Sequence, residues 1–327
     1  MQVALQHNVQ FTDYHPAPVD FFAEVMDGLQ QRPKAIAPKF FYDAQGSHLF
    51  DQICELEEYY PTRTEMRILT DHAEEIAGFV GEKSFVIEPG SGSSTKVRLL
   101  LDDLKPHTYM PMDISKQHLL NAAQSLAAEY PWLDIHAACA DFTTRLVIPV
   151  QPDAENKVAF FPGSSIGNFE PQAARVFLAH LGETVGTGGG LLIGVDLQKE
   201  ADILHAAYND SEGVTANFNL NLLARINREL NADFDLDSFA HSAFYNQQLG
   251  RIEMHLVSRI AQRVGVAQST VHFDQGESIH TECSYKYTIS GFQALAAAAG
   301  FNSVRVWTDA DQLFSVHYFE YQGCATG

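Results

Sequence analysis

The chain has 327 residues, of which 46% are hydrophobic and 11% aromatic, enough to bury a large core and too apolar for a disordered polymer. A formal net charge of −20 would repel a phosphate backbone, so no nucleic-acid partner is expected, although a small-molecule pocket of either sign remains open. The opening MQVALQHNVQFTDYH has neither a basic region nor an apolar run, and no later stretch has the length and apolarity of a membrane span. Cys54, Cys139, Cys283 and Cys324 show no disulfide or zinc spacing, so a soluble cytoplasmic protein with reduced thiols and no metal is expected.

In chain order, Pro16, Pro18, Pro33 and Pro38 punctuate the first segment, and residues 19–29 between them have helical spacing. A helix is expected over 46–56, a break at Pro61 and a further helix from Thr64. After Gly81, short apolar strands at 85–87, 108–112, 133–138, 158–161 and 190–195 alternate with helices that include 116–129 and 171–185. Such alternation implies right-handed crossovers and a parallel sheet. The rhythm stops over 199–249, which is polar and helix-like, and residues 250–260, 266–274 and 278–288 read as antiparallel strands. A helix then begins at Ser290, followed by strands at 303–307 and 314–321 whose short connection makes an antiparallel hairpin.

Chemistry gathers where the parallel strands end. Strand 85–87 runs through Glu88 into Gly90-Ser-Gly92-Ser-Ser-Thr95 and a helix starting at Lys96, so backbone N–H groups and a helix N-terminus face whatever binds there. A dinucleotide fingerprint would have a third glycine where Thr95 stands. The next strand ends in Asp113, an acceptor for ribose hydroxyls, and the one after leads to Asp141-Phe142, an acceptor beside a ring that can stack on a purine. PGSSIGN, 162–168, is a polar turn at the same edge. Each aspartate alone could simply cap a helix. Together they point to an adenosine crevice, and the missing glycine with the terminal hairpin points to S-adenosylmethionine rather than a pyrophosphate cofactor. The fold expected is α/β, a class I methyltransferase Rossmann-like sheet with an antiparallel terminal hairpin, plus an α+β substrate lobe.

Longer motifs sharpen this. FFYDAQGSHLFDQICELEEYYPTRTE at 40–65, FVIEPGSGSSTK at 85–96, FFPGSSIGNFEP at 160–171, AAYNDSEGVTANFNLNLLARINREL at 206–230, RIEMHLVS at 251–258 and TECSYKY at 281–287 resemble the ergothioneine-pathway L-histidine Nα-methyltransferase family. The resemblance implies a monomer that moves three methyl groups from S-adenosylmethionine to the α-amine of histidine, giving hercynine. It implies a substrate lobe from residues 1–62 and 199–285, and a methyltransferase domain from 63–198 and 286–327. On the cofactor side it implies Gly90 beside the methionine part, Lys96 near its carboxylate, Asp113 at the ribose, and Asp141 with Phe142 at the adenine, within the turn that also holds Glu88 and Gly92. Tyr42 would lie near the reacting methyl and amine.

For the amino acid, the resemblance implies Asn168 and Tyr208 at the carboxylate and the Gly163 carbonyl at the α-amine. Thr215 and Phe218 would line the space for the N-methyl groups, Glu282 and Ser284 would grip the imidazole, and Tyr59 and Met254 would pack nearby. Two other readings are a relative acting on tryptophan or a sulfur-substituted histidine, and a catalytically silent adenosine-binding module. The Glu282, Ser284 and Met254 set disfavours indole, which offers one donor and more bulk.

Overall fold

The computed structural model describes residues 8–14, 20–141 and 156–323. The chain divides into two compact units, Met1–Pro18 with Arg63–Leu197 and Tyr287–Gly327, and Val19–Thr62 with Gln198–Lys286.

The first unit is built on one sheet of eight strands. Across the sheet these are Val9–Asp13, Asp134–Cys139, Thr108–Asp113, Phe85–Pro89, Lys157–Phe161, Gly190–Asp196, Phe314–Tyr321 and Phe301–Thr308. The first six run parallel, whereas Phe314–Tyr321 runs antiparallel to both of its neighbours, making the terminal hairpin. All five residues of Phe85–Pro89 are buried, as a central strand covered on both faces requires. Helices Ala73–Val80, Thr95–Leu104 and Lys116–Glu129 contribute to one apolar cluster, and Pro171–Val185 and Ile289–Ala297 to another. Each large apolar side chain fully buried there contributes about 1.5–3 kcal/mol.

Two expectations change in this region. The strand Val9–Asp13 pairs in parallel with Asp134–Cys139, so this segment belongs to the sheet and not, as expected for all of 1–62, to the lobe. Only Val9 of its five residues is fully buried, which left no apolar run for the sequence to display. Helix Tyr60–Asp71 begins ahead of Pro61 instead of after a break, because proline in a first helical turn gives up an N–H that has no carbonyl to meet.

The chain leaves the sheet after Asp196 and returns at Tyr287, whose N–H donates to the Asp196 carbonyl at 3.1 Å. Everything inserted between these neighbouring backbone points goes to the second unit, apart from Leu197. That unit carries helices Phe21–Gln30, Ala44–Glu55, Ala201–Tyr208 and Val214–Leu230. Its four-stranded sheet runs Lys34–Ala35, Ser278–Tyr285, Arg251–Ser258, Phe239–Asn246. Phe239–Asn246 lay in the stretch expected to be helix-like; it is an edge strand with partly exposed faces, so alternation is weak in its sequence. The single strand expected over 266–274 is a hairpin, Gln262–Val266 with Ser269–Phe273, turned at Ala267, whose φ is 51°. In Ser278–Tyr285 the register shifts between His280 and Glu282, which sets Glu282 opposite Met254.

The FFYDAQGS segment is held by a cap. Asp43 precedes helix Ala44–Glu55 and accepts from the Gly46 N–H at 2.7 Å, from Asn221 at 2.9 Å and from Arg228 at 2.6 Å. A Cβ on Gly46 would sit 1.8 Å from the Phe41 carbonyl oxygen, so the glycine lets the helix press against the segment that carries Tyr42. Gly46→Ala should lower stability by about 1–3 kcal/mol through this overlap, read as a lower Tm; an unchanged Tm would mean that the contact is not packed as described.

Candidate functional site

In the sheet unit, the glycine turn is shaped by backbone conformations that favour glycine. Gly90 and Gly92 have φ of 68° and 51°, and among the described residues no atom beyond the chain neighbours lies within 4 Å of where a Cβ on Gly92 would stand. The turn is tied to the next strand: the Gly92 N–H donates to Asp113 Oδ2 at 3.2 Å, and the Ser91 N–H donates to the Met112 carbonyl at 3.0 Å. Asp113 Oδ1 accepts from the Ser115 N–H at 2.8 Å, so the carboxylate is oriented by both of its oxygens. Asp141 stands two residues past strand Asp134–Cys139 and is partly exposed. Phe142, its expected companion, lies outside the described residues.

Glu88 is placed differently from an open ligand. It is buried, and its carboxyl meets the Tyr109 hydroxyl, which also lies 3.0 Å from Ser94 Oγ. Burial pushes its acid up to about 8, against the opposing effects of the Tyr109 hydroxyl and Lys96. At neutral pH Glu88 is therefore mostly a neutral acid, bracing the residue from which helix Thr95–Leu104 starts.

A residue that the motifs did not single out organises the same edge. Glu65, 1% exposed, pairs with Lys96 Nζ at 2.5 Å and accepts from the Gly163 N–H at 2.9 Å. Glu65 thus joins the first turn of one helix to the PGSSIGN turn. Gly163 has φ of 85°, and a Cβ there would come 3.1 Å from Lys96 Nζ. Ser164 Oγ accepts from the Asp196 N–H at 2.9 Å, fixing the base of the turn that ends at Asn168. The signal for Glu65 was present: it stands three and four residues before buried Ile68 and Leu69, a charge on the apolar stripe of its helix.

The other unit holds an aromatic group and a polar group. Phe218 packs on Phe41 at 4.6 Å, Tyr42 at 5.9 Å and Phe50 at 6.1 Å between ring centroids. Phe50 continues to Tyr59 at 6.5 Å, and Tyr59 to Tyr208 at 6.2 Å. Asp210 caps helix Val214–Leu230 by accepting from the Val214 and Thr215 N–H groups, both at 2.8 Å. That start puts Thr215 and Phe218 three residues apart on one buried face.

Beyond Tyr208 come the polar residues. The Tyr208 hydroxyl donates to Ser284 Oγ at 3.0 Å, and Lys286 Nζ donates to Tyr208 Oη at 3.0 Å and to Ser284 Oγ at 2.9 Å. Glu282 is partly exposed, yet it is desolvated enough to push its acid up to about 7, against the pull of Lys286. Burial, with Tyr208 and Glu282 among the neighbouring groups, holds the Tyr59 phenol well above its ordinary value, so it stays a neutral hydroxyl. Met254 is buried opposite Glu282. Direct contacts thus link Tyr42 with Phe218, Tyr59 with Tyr208 and Tyr208 with Ser284, Met254 stands opposite Glu282, Thr215 shares the Phe218 face, and Phe50 and Lys286 join the expected residues. Lys286 was legible as the residue two on from Ser284 in a strand pattern.

The donor set suits a cofactor with an adenosine and an amino-acid end: an open glycine turn, an oriented carboxylate at Asp113 and an ammonium at Lys96. Among the described residues no helix is long and apolar enough to cross a membrane. Comparison with known proteins gives matches over nearly the whole chain. The family described as "Histidine-specific methyltransferase, SAM-dependent" matches residues 21–321. The chain is 44% identical to a histidine N-alpha-methyltransferase of Mycolicibacterium smegmatis over 292 residues, covering 88% of this chain and 90% of that one. It is 44% identical over the same share to the protein of that name from Mycobacterium tuberculosis. It is also 29% identical to ergothioneine biosynthesis protein 1 of Neurospora crassa, covering 84% of this chain and 32% of that larger protein.

The buried acid at Glu88 makes a prediction. Its folded value of about 8 lies above the ordinary 4.5, so the folded chain holds a proton that the unfolded chain releases between those values. This contribution weakens stability as pH rises through that window. Glu88→Gln, which stays neutral, should flatten the fall in Tm between about pH 5 and 8; an equally steep fall would mean that Glu88 is ionised in place.

Proposed function

The chain belongs to the S-adenosylmethionine-dependent, histidine-specific methyltransferase family, and we infer that it transfers methyl groups from S-adenosylmethionine to the α-amine of L-histidine, three in turn, to give hercynine in ergothioneine biosynthesis. The observation that carries this reading is the pairing of an acceptor and a hydroxyl, Glu282 and Ser284, on one strand beside an aromatic group centred on Phe218. The first suits an imidazole, and the second suits an amine that gains methyl groups and positive charge.

The methyl donor would be held by Gly90, Gly92, Lys96, Asp113 and Asp141, with Phe142 added by family resemblance. When bound, it supplies a methyl group already activated on a sulfonium, so no protein nucleophile is required. The work left to the protein is alignment and desolvation. We assign Gly163 to the amine, Asn168 and Tyr208 to the carboxylate, and Thr215 with Phe218 to the space for the N-methyl groups. Tyr42 and Phe218 offer π faces to the growing positive charge, an interaction worth about 0.5–2 kcal/mol. A surface of ring faces keeps its attraction as N–H donors are lost, which a hydrogen-bonding cage would not, and the third transfer needs that. Glu282 accepts the ring N–H. A side chain without that donor would leave a desolvated carboxyl unpaired, at a cost of about 1–3 kcal/mol or more. The monomeric, cytoplasmic state is carried over with the family reading as part of this proposal.

Incubation of the protein with S-adenosylmethionine and each common amino acid, read by mass, should give methylated product from histidine alone, advancing through one and two to three added methyl groups. No product from histidine, or product only from a ring-substituted imidazole, would overturn the reading.

A further inference from the structure

The Lys286 ammonium, the Tyr208 hydroxyl and the Ser284 hydroxyl form a closed triangle with sides of 2.9–3.0 Å, and all three residues are buried. We propose that Lys286 is a positioning residue that fixes the Ser284 hydroxyl as a hydrogen donor, so that the pocket takes the neutral imidazole of histidine in a single tautomer. The inference rests on the histidine reading above and adds to it which ring nitrogen carries the proton relative to Glu282 and Ser284.

Donors and acceptors decide which way the serine hydrogen points. An ammonium has three hydrogens to give and nothing to accept with, so Lys286 donates to both oxygens. Tyr208 gives its one hydrogen to Ser284 Oγ. The serine oxygen has two lone pairs, and these two donors fill them. Its own hydrogen must then point out of the triangle, where only an acceptor can meet it. A ring nitrogen facing Ser284 is therefore bare. A second ring N–H aimed there would find no lone pair, with a positive charge 2.9 Å behind the oxygen. If an incoming carboxylate draws the Tyr208 hydrogen away, one serine lone pair is freed, but Lys286 still fills the other, its charge still opposes an imidazolium, and the single N–H of a neutral ring still goes to Glu282. Glu282, which has no hydrogen to give once ionised, requires the other ring nitrogen to carry the proton. The two contacts together define one neutral tautomer, and Lys286 supplies the positive charge that accompanies the Glu282 carboxylate, whose acid it lowers.

The test uses the full chain, S-adenosylhomocysteine in place of the methyl donor so that no turnover occurs, and histidine labelled with ¹⁵N in the ring. In the wild type, the bound ring should show one protonated and one bare nitrogen at pH 7, and should hold that pattern at pH values where free histidine becomes an imidazolium. Two protonated nitrogens in the bound ring would overturn the proposal. No bound histidine at all would instead overturn the functional reading on which it rests, so the two failures are separable.

Lys286→Met should weaken histidine binding about tenfold or more, leave S-adenosylhomocysteine binding unchanged, raise KM far more than it lowers kcat, and admit the doubly protonated ring at low pH. Lys286→Arg, which keeps donors for both oxygens, should restore part of the affinity. Unchanged affinity and an unchanged ring pattern in Lys286→Met would overturn the role given to the lysine. The wild-type spectrum decides the tautomer by itself, and if the methionine variant does not fold, Lys286→Arg decides the lysine's role: a loss of affinity confined to histidine supports it, and an equal loss for both ligands overturns it.

Discussion

A carboxylate buried at Glu65 cannot be left without partners, since taking an isolated charge from water costs several kcal/mol. The chain answers with Lys96 from the first turn of helix Thr95–Leu104 and the Gly163 N–H from the turn after strand Lys157–Phe161. One carboxylate therefore sets the position of both turns that edge the cofactor side. It also explains two glycines on packing grounds. A Cβ at Gly163 would crowd Lys96, and one at Gly194 would come 1.9 Å from Glu65 Oε1. Lys96 thus serves as an electrostatic partner within the fold and, on the proposed function, would also offer its ammonium to a cofactor carboxylate. Removing either charge would leave the other unbalanced, which is more damaging than removing both.

The second unit solves a related problem with neutral and charged donors in sequence. Lys286 is a buried cation that donates to the hydroxyls of Tyr208 and Ser284, and the nearby acid Glu282, which burial raises, is lowered by its charge. The aromatic group needs no such matching, because rings pack by shape and offer π faces in any order. A site of this kind separates its tasks. On the proposed function, the polar triangle would discriminate among side chains, and the aromatic group would tolerate successive methylation of the amine. Each task uses the side chains whose chemistry suits it.

How much of this was legible in the sequence depended on what each residue had to satisfy. The strand–glycine–helix turn was readable because backbone conformation restricts residue choice, and the terminal hairpin because a short connection leaves no room for a crossover. Val9–Asp13 and Phe239–Asn246 were not readable as strands. Edge strands bury one face at most, and their register is set by a partner far away in the chain. Glu65 and Lys286 left only local hints, a charge on an apolar stripe and a charge at the end of a strand pattern. Their importance comes from partners that are 31 and 78 residues distant in sequence, which no local window contains. Glu88 was read as a cofactor ligand from its place at a strand end. The fold turns it inward to Tyr109, whose hydroxyl also meets Ser94, a choice made by side-chain packing rather than by spacing.

On the proposed function the work divides between the units, with cofactor recognition in the sheet unit and side-chain recognition in the inserted one. Calorimetric titration of S-adenosylhomocysteine and of histidine into Lys96→Ala and Glu282→Ala proteins tests that division directly. Glu282→Ala should lose histidine affinity while holding the cofactor product as the wild type does, and Lys96→Ala should lose affinity for the cofactor product. Glu282→Ala weakening both ligands equally, or Lys96→Ala binding the cofactor product undiminished, would contradict it.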